Sequence, residues 1–167
     1  MVSESEAGYK KYLSMAERTL IIIKPDAVQR HLVGEIIGRF ERKGLKLVAA
    51  KFLKLSEKQT QHLYAAHVEK AFYKPLVKYI SSSPLLVTVW EADGVIDMAR
   101  KMMGATFGYY AEMGTIRGDF SSSQRYNLVH GSDSPESAQQ EINLFFSPNE
   151  IVDYKFTDSH WLYGKNA

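Results

Sequence analysis

One histidine, His130, lies between a short apolar run and a Gly-Ser-Asp turn in the segment RYNLVHGSDSPESAQQEINLFF, at positions 125–146. An imidazole can act as a nucleophile or as a general base. A helix is predicted to begin just after the turn, and the N-terminal end of a helix favours a bound anion. Histidines at such positions are more often structural than catalytic, so the surroundings of His130 decide its role.

Glu141 is the candidate partner of His130, because it falls on the apolar face of the helix that follows. The other residues of that face are Ala138, Ile142 and Phe145. A carboxylate on a buried face is costly unless it has a partner. Spacing alone leaves two interpretations open. Either the stem of Glu141 is buried while its carboxylate reaches water, or the carboxylate accepts a hydrogen bond from His130.

Phosphate binding, if the protein does it, must rely on side chains. Neither G-x-x-x-x-G-K-[ST] nor G-x-G-x-x-G occurs in the sequence, so a P-loop or a dinucleotide-binding fold is not expected. The candidate cations are Lys24, Arg100 and Arg117, although each could instead lie over the core with its charge in water. Tyr64 and Phe72 are either core residues or, if exposed, aromatic rings on which a base could stack.

The composition argues against several classes of function. The 167 residues, 45% of them hydrophobic, suit one globular domain. A net charge of +2 is too small to predict nucleic acid as the primary partner, and no apolar stretch approaches the roughly 20 residues of a membrane span. The absence of cysteine excludes disulfides and thiolate chemistry. The sequence contains no closely spaced set of His, Asp and Glu residues that would predict a metal site. The composition fits a cytoplasmic location.

Residues 1–14 are polar and show no apolar period, which predicts a flexible N-terminal extension. Residues 15–167 are expected to form a single domain, because no repeat or low-complexity segment divides them. The Gly-, Ser- and Thr-rich segment 104–125 is predicted to be a long loop, a length that is typical of functional loops.

The apolar patterns predict an alternation of strands and helices. The predicted strands are at 19–24, 45–55, 85–92 and 126–131. The predicted helices run over 32–43, from Ser56 to about His67, over 72–82, from an Asp93 cap to about Met102, and from a Ser134 cap onward. This order predicts an α+β fold, a ferredoxin-like βαββαβ sandwich with an antiparallel four-stranded sheet and helices packed on it.

Three segments together resemble one known family. They are ERTLIIIKPDAVQRHLVGEIIGRFERKG, GTIRGDF and NLVHGSD, and the resemblance to the nucleoside diphosphate kinase family covers residues 16 to about 163. It implies transfer of the terminal phosphate of a nucleoside triphosphate to a nucleoside diphosphate, by a ping-pong route through a phosphohistidine. It also implies Mg²⁺ held mainly by the nucleotide phosphates, a ferredoxin-like fold, and a homo-oligomer, with a hexamer favoured.

Carried over by position, the resemblance assigns the phosphorylated nucleophile to His130. It assigns the residues that hold the nucleophile to Glu141 and Ser132, and a place near the reacting phosphate to Tyr64. The alternative is a kinase-like nucleotide-binding or scaffold protein with little turnover. The presence of His130 argues against that alternative, because a scaffold does not need the nucleophile.

The resemblance also assigns residues that bind the nucleotide. Those that correspond to the phosphate-binding groups are Lys24, Arg100, Thr106 and Arg117. Asn127 and Lys24 resemble the groups that contact the sugar, and Phe72 resembles the aromatic residue on which the base stacks. The sequence departs from the family pattern at Ala27, His31 and Gly108, where the family usually has glycine, glycine and proline.

Overall fold

A computed structural model describes residues 17–123, 125–155, 157 and 159–164. The extension predicted for residues 1–14 lies outside the described residues. The sheet order is β2-β3-β1-β4, with every neighbouring pair antiparallel. The strands are β1 (Glu17–Ile23), β2 (Lys46–Leu53), β3 (Leu85–Ala92) and β4 (Val129–Gly131). This is the sheet of a ferredoxin-like fold, so the predicted α+β fold class is confirmed.

Helices connect the strands and cover both faces of the sheet. The α-helices are α1 (Pro25–Gln29), α2 (Val33–Arg42), α3 (Glu57–Leu63), α4 (Tyr73–Ile80), α5 (Val95–Met103), α6 (Ile116–Phe120), α7 (Pro135–Phe145) and α8 (Ser159–Tyr163). Short 3₁₀ turns occur at Ala65–His67, Gly108–Tyr110 and Pro148–Glu150.

Strand β1 contributes side chains to two separate cores. Ile21 and Ile23 pack in the core that contains α2 and α5, whereas Leu20 and Ile22 pack in the core that contains α4 and α7. Successive side chains of a strand point to opposite faces of a sheet. Because both faces are covered, β1 is a continuous apolar run instead of an alternating one, as its sequence predicted.

The fourth strand is shorter than predicted, and residues 126–128 are not part of it. Leu128 has a φ of +68°, which lies in the left-handed region and cannot continue a strand. Its carbonyl accepts a hydrogen bond from the backbone N–H of Lys24 at 2.8 Å. The chain therefore turns sharply just before Val129, where β4 begins.

The cap predicted for α5 is wrong. Gly94, with a φ of +62°, precedes the helix, and Asp93 does not cap it. The carboxylate of Glu17, at the start of β1, instead accepts a hydrogen bond from the backbone N–H of Ile96 at 3.0 Å. The cap comes from a residue far away in the sequence, so a local pattern could not predict it.

The capping box predicted at Ser56 and Gln59 is confirmed, but the helix it opens ends at Leu63 instead of continuing to His67. The segment predicted as a loop at 104–125 also contains regular structure. The Thr115 hydroxyl accepts a hydrogen bond from the Gly118 N–H at 3.0 Å and so caps α6. Arg117 therefore projects from a helix and not from a loop.

Candidate active site

A cavity of about 500 Å³ opens where the C-terminal end of β1 meets β4, α5, α6 and α7. Most of the residues predicted for the site line it: Lys24, Tyr64, Arg100, Thr106, Arg117, Asn127, His130 and Glu141. Ser132 lies behind Glu141 and does not line the cavity, and neither does Phe72. The fold thus brings together side chains that are far apart in the sequence, from Lys24 to Glu141.

His130 lies in the middle of β4, opposite Ile22 of β1. Its Nε2 atom is 2.9 Å from Oε1 of Glu141, so the carboxylate is paired with the imidazole. Spacing alone left open whether the carboxylate reaches water or accepts a hydrogen bond from His130, and the structure shows the pairing with His130. The bond through Nε2 fixes the plane of the ring and leaves Nδ1 as the nitrogen that can react.

Ser132 fixes the other oxygen of the same carboxylate. Its hydroxyl donates to Oε2 of Glu141 at 2.7 Å and accepts from the backbone N–H of Leu20 at 3.3 Å. The backbone N–H of Ser132 also donates to the Leu20 carbonyl at 3.2 Å. Glu141 is therefore anchored by groups that belong to the sheet. Because the carboxylate is anchored, its bond to His130 restricts the orientation of the imidazole.

Helix α7 carries Glu141 and begins with a well-formed cap. The hydroxyl of Ser134 accepts from the Ser137 N–H at 3.1 Å, and Pro135 occupies the first turn. The Ser137 hydroxyl donates to Asp133 at 2.7 Å, and this bond is the main reason that the pKa of Asp133 is lowered. These bonds set where the helix starts and thereby where Glu141 lies, two turns later.

Lys24 is a buried cation at the cavity wall, with only 6% of its surface exposed. Its Nζ donates to Oδ1 of Asn127 at 2.6 Å, and Nδ2 of Asn127 donates to the Thr106 carbonyl at 2.7 Å. Burial, aided by the charge of Arg117, lowers the pKa of Lys24 to about 7. For Lys24, burial and the charge of Arg117 therefore outweigh the opposing negative charge of Asp26.

Arg117 holds the backbone beside the cavity with three of its N–H groups. Nε donates to the Asn127 carbonyl at 3.1 Å, and the two terminal nitrogens donate to the carbonyls of Gly104 and Val129, each at 2.8 Å. A guanidinium has five N–H donors, so two remain for a ligand. Burial, followed by the charge of Arg100, lowers the pKa of Arg117 to about 10.

The basic side chains of this wall form no close ion pair with the described carboxylates. The ion pairs formed within the described part of the chain involve none of Lys24, Arg100 and Arg117. Basic groups that face one cavity without such ion pairs disfavour one another's charged forms, as the lowered pKa values of Lys24 and Arg117 show. The arrangement is suited to an anion that carries several charges, such as a chain of phosphates.

Tyr64 also lines the cavity, and its hydroxyl is buried. The residue is 6% exposed, and its ring meets the His130 ring edge to face with 5.8 Å between the centroids. Its hydroxyl has no hydrogen-bond partner among the described residues. Burial raises the pKa of Tyr64, with a further contribution from the charge of Glu141, so the hydroxyl keeps its proton and can donate to a ligand.

Phe72 lies just before α4 with half of its surface exposed. It contacts the His67 ring, whose centroid is 5.7 Å away, and His67 in turn lies 6.3 Å from the Tyr64 ring. His67 and Asp133 both line the cavity, and neither was predicted from the sequence. Asp133 belongs to the same Gly-Ser-Asp turn as His130, which was a usable signal, whereas nothing in the sequence distinguished His67.

Other sites can be assessed over the part of the chain that the structure describes. It contains no group of three or more His, Asp or Glu side chains placed to hold a metal ion. None of its helices has the length and apolar character needed to cross a membrane.

Comparisons with known proteins agree with this geometry. A family model described as nucleoside diphosphate kinase matches residues 17–151. The nucleoside diphosphate kinase of Nostoc punctiforme is 52% identical over 147 residues, which are 88% of this chain and 99% of that protein. That of Halalkalibacterium halodurans is 49% identical over 146 residues, covering 87% and 99% of the two chains.

The fold agrees as well. The structure of a halophilic nucleoside diphosphate kinase from Halobacterium salinarum in complex with CDP matches with a TM-score of 0.87 and 42% identity, over 89% of this chain and 99% of that one. The protein is therefore an enzyme that transfers phosphate between nucleotides, and the chain belongs to the nucleoside diphosphate kinase family.

Proposed function

We propose that His130 is the nucleophile of a ping-pong reaction that moves the terminal phosphate of a nucleoside triphosphate to a nucleoside diphosphate. The observation that carries this proposal is the pairing of His130 with Glu141 at 2.9 Å, at a cavity lined by Lys24, Arg100 and Arg117. A fixed imidazole supplies the nucleophile, and the cations supply the charge that a phosphate chain requires.

In the first half-reaction, the lone pair of Nδ1 attacks the terminal phosphorus. A P–N bond forms, the P–O bond to the adjacent phosphate breaks, and the nucleoside diphosphate leaves with that electron pair. The imidazole gains positive charge during the attack, and Glu141 stabilises this charge through Nε2. In the second half-reaction, a terminal oxygen of another nucleoside diphosphate attacks the phosphorus of the phosphohistidine. A P–O bond forms, the P–N bond breaks, and its electron pair returns to Nδ1, which restores His130.

The cavity wall stabilises the charge that spreads over the phosphate oxygens in the transition state. Lys24, Arg100 and the two free N–H groups of Arg117 bind the phosphates, together with Thr106. The Tyr64 hydroxyl donates near the phosphate that is transferred. In enzymes that stabilise a transition-state oxyanion with fixed donors, loss of one donor costs on the order of 10²–10³ in rate.

The rest of the nucleotide is bound at the mouth of the cavity. Asn127 and Lys24 contact the sugar, and the exposed face of Phe72 stacks on the base. Every base has a π-face, so stacking discriminates little among bases. The CDP complex of the Halobacterium salinarum relative supports a nucleotide in this fold. The resulting role is to maintain pools of nucleoside triphosphates.

In this proposal, Mg²⁺ binds to the protein together with the nucleotide. Family members carry out nucleotide phosphate transfer that typically depends on a divalent metal. Since the described residues offer no group of three ligating side chains, they fit a Mg²⁺ ion held mainly by the phosphates. The ion would neutralise part of the phosphate charge, while the protein cations orient the chain of phosphates towards His130.

We also propose a homo-oligomer, with a hexamer favoured, in the cytoplasm. The turn at Gly108–Tyr110 and the residues after it expose large apolar side chains, with Tyr109 at 73%, Tyr110 at 67% and Met113 at 85%. Apolar patches of this kind are typical of surfaces that are covered in an assembly. The absence of cysteine suits a reducing compartment.

The test is a brief incubation with γ-labelled ATP and magnesium, followed by a chase with GDP. We expect acid-labile label on the native protein that moves to GTP, and no label on His130→Ala, although this variant still binds ATP. Substantial turnover by purified His130→Ala would overturn the proposal. A native protein that binds ATP without taking up label would overturn it too.

A further inference from the structure

The segment from Tyr126 to Val129 adopts a backbone conformation that its own sequence does not favour. Leu128 is fully buried and has a φ of +68°, a region that a bulky L-residue rarely adopts. The strain falls directly between Asn127, which contacts Lys24, and the strand that carries His130. Contacts from outside the segment must therefore hold the backbone in this conformation.

Asp26, in the first turn of α1, supplies one of those contacts. Its Oδ2 accepts a hydrogen bond from the backbone N–H of Leu128 at 3.1 Å. Its Oδ1 accepts a short hydrogen bond from the hydroxyl of Tyr79, on α4. One carboxylate thus connects α1 and α4 to the strained residue, although neither Asp26 nor Tyr79 lines the cavity.

Tyr79 also contacts the same segment directly, through its ring. Its ring meets the ring of Tyr126 edge to face, with 4.8 Å between the centroids. Tyr126 directly precedes Asn127, and its carbonyl accepts from the Ser121 hydroxyl at 2.7 Å. The hydroxyl and the ring of Tyr79 therefore act on two residues that flank Asn127.

We propose that Asp26 and Tyr79 are positioning residues for phosphoryl transfer, which hold Leu128 and thereby align Asn127 and His130. This inference rests on the proposed function, since it assumes that His130 is the nucleophile. Asp26 and Tyr79 do not touch the substrate. They set the distance and direction between the nucleotide, held by Lys24 and Asn127, and the imidazole.

The proposal predicts which step is sensitive. Nucleotide affinity comes mainly from the cations and from stacking, so it should change little when the segment shifts. The attack by His130 depends on alignment, and a displacement of about 1 Å can cost on the order of 10² in rate. Loss of the positioning contacts should therefore lower kcat far more than it raises the Kd for ATP.

Four variants distinguish an effect on the alignment of the site from an effect on the stability of the whole fold. Asp26→Ala removes both hydrogen bonds, and Tyr79→Phe removes one. Asp26→Asn keeps both, because its amide oxygen accepts from Leu128 while its NH₂ group donates to the Tyr79 oxygen. Tyr154→Phe is the matched control. The Tyr154 hydroxyl donates to the Leu47 carbonyl at 3.0 Å, on the edge strand β2 and outside the cavity lining.

The measurements are the single-turnover rate of His130 phosphorylation by rapid quench, the Kd for ATP by calorimetry, and the Tm. We expect about a 10²-fold loss of rate in Asp26→Ala and about tenfold in Tyr79→Phe, with Kd values within about threefold of native. The phosphorylation rate of Asp26→Asn should stay within about threefold of the native rate. Tyr154→Phe should lower the Tm and leave the rate and the Kd unchanged.

Two results would overturn the proposal. One is a Tyr79→Phe rate no lower than that of Tyr154→Phe, and the other is an Asp26→Asn rate as low as that of Asp26→Ala. Should Asp26→Ala fail to fold, Tyr79→Phe and Asp26→Asn still decide the question. His130→Ala is included as a separate arm. Turnover by that variant refutes the proposed function, whereas its inactivity beside an unaffected Tyr79→Phe refutes only the positioning role.

Discussion

Glu141 binds two groups at once: Oε1 is 2.9 Å from Nε2 of His130, and Oε2 accepts from the Ser132 hydroxyl at 2.7 Å. The carboxylate therefore fixes the imidazole to the sheet through Ser132. In the proposed reaction it also faces the ring nitrogen that gains positive charge when Nδ1 attacks phosphorus. Both effects serve the chemical step more than they serve nucleotide binding.

Glu141→Gln should lower kcat on the order of 10²-fold while the affinity for ATP changes little. The amide keeps the shape of the side chain but loses the charge that stabilises the imidazolium. Calorimetry gives the affinity, and rapid quench gives the phosphorylation rate. Glu136→Gln, at an exposed position of the same helix, is the control. Native-rate phosphorylation by Glu141→Gln would show that the carboxylate is structural only.

The pH dependence of stability should report the burial of Lys24. Its pKa is about 7 in the folded protein, against 10.5 for an ordinary lysine. Between these values the unfolded chain binds more protons, so the group makes the free energy of unfolding rise with pH, by up to about 1.4 kcal/mol per pH unit. Below about pH 7 the lysine is charged in both states, and the full cost of burying the charge is present.

Lys24→Met should remove this rise, which urea unfolding at several pH values can measure. Lys101→Met is the control, because the Lys101 side chain is 76% exposed and forms a surface ion pair with Asp97. The two variants should differ in the slope of the unfolding free energy against pH between about pH 7.5 and 10. Identical slopes would mean that Lys24 titrates normally in the folded protein.

Binding of ADP at pH 8 should take up protons at Lys24. Phosphate oxygens favour the charged form of the lysine and raise its pKa, so a lysine that is mostly neutral in the free protein becomes protonated in the complex. Calorimetry in two buffers of different ionisation enthalpy measures the uptake. Lys24→Arg stays charged at pH 8 and should bind ADP without this uptake. Equal heats in the two buffers for the native protein would contradict the prediction.

Gly108→Ala should lower the free energy of unfolding by about 1–3 kcal/mol. A Cβ atom at this position would lie 2.2 Å from the carbonyl oxygen of Ser121, which is backbone and cannot move aside freely. Gly34→Ala is the matched control, because nothing lies within 4 Å of a Cβ there. Position 34 is helical, so the control should raise stability slightly. Equal stabilities of the two variants would show that the loop adapts.

His31→Gly should raise the free energy of unfolding by about 0.5–1 kcal/mol. His31 has a φ of +58°, which glycine adopts without a steric cost. Lys43→Gly, at a residue with a φ of −75°, should instead lower stability. Thermal or urea unfolding of both variants gives the comparison. A destabilised His31→Gly would indicate that the imidazole makes a contact worth more than the strain.

The sequence predicted those features that depend on neighbouring residues. The β1 run, the Ser56 capping box and the Ser134 cap are local patterns, and each of them is found in the structure. The position of Glu141 on an apolar face narrowed its role to two interpretations. The predicted catalytic and binding positions came mostly from the family motifs, because no local pattern shows that Lys24 and Asn127 meet.

The features that could not be predicted depend on contacts between distant segments. Glu17 caps α5 from the start of β1, and Asp26 fixes Leu128 across about a hundred residues. The left-handed conformation of Leu128 shortened β4, and a leucine gives no signal of it because glycine or asparagine usually occupies such positions. His67, which lines the cavity, lies in a 3₁₀ turn just after a helix that ends earlier than predicted.

Strand β1 belongs to both hydrophobic cores, with Leu20 and Ile22 on one side and Ile21 and Ile23 on the other. Neither core can lose its packing without exposing side chains of this strand, so the two layers should unfold together and not in sequence. The amide hydrogens of β1 should then exchange with solvent only when the whole domain opens. If the two layers unfold together, all amide hydrogens of β1 should exchange slowly and give the same free energy of opening.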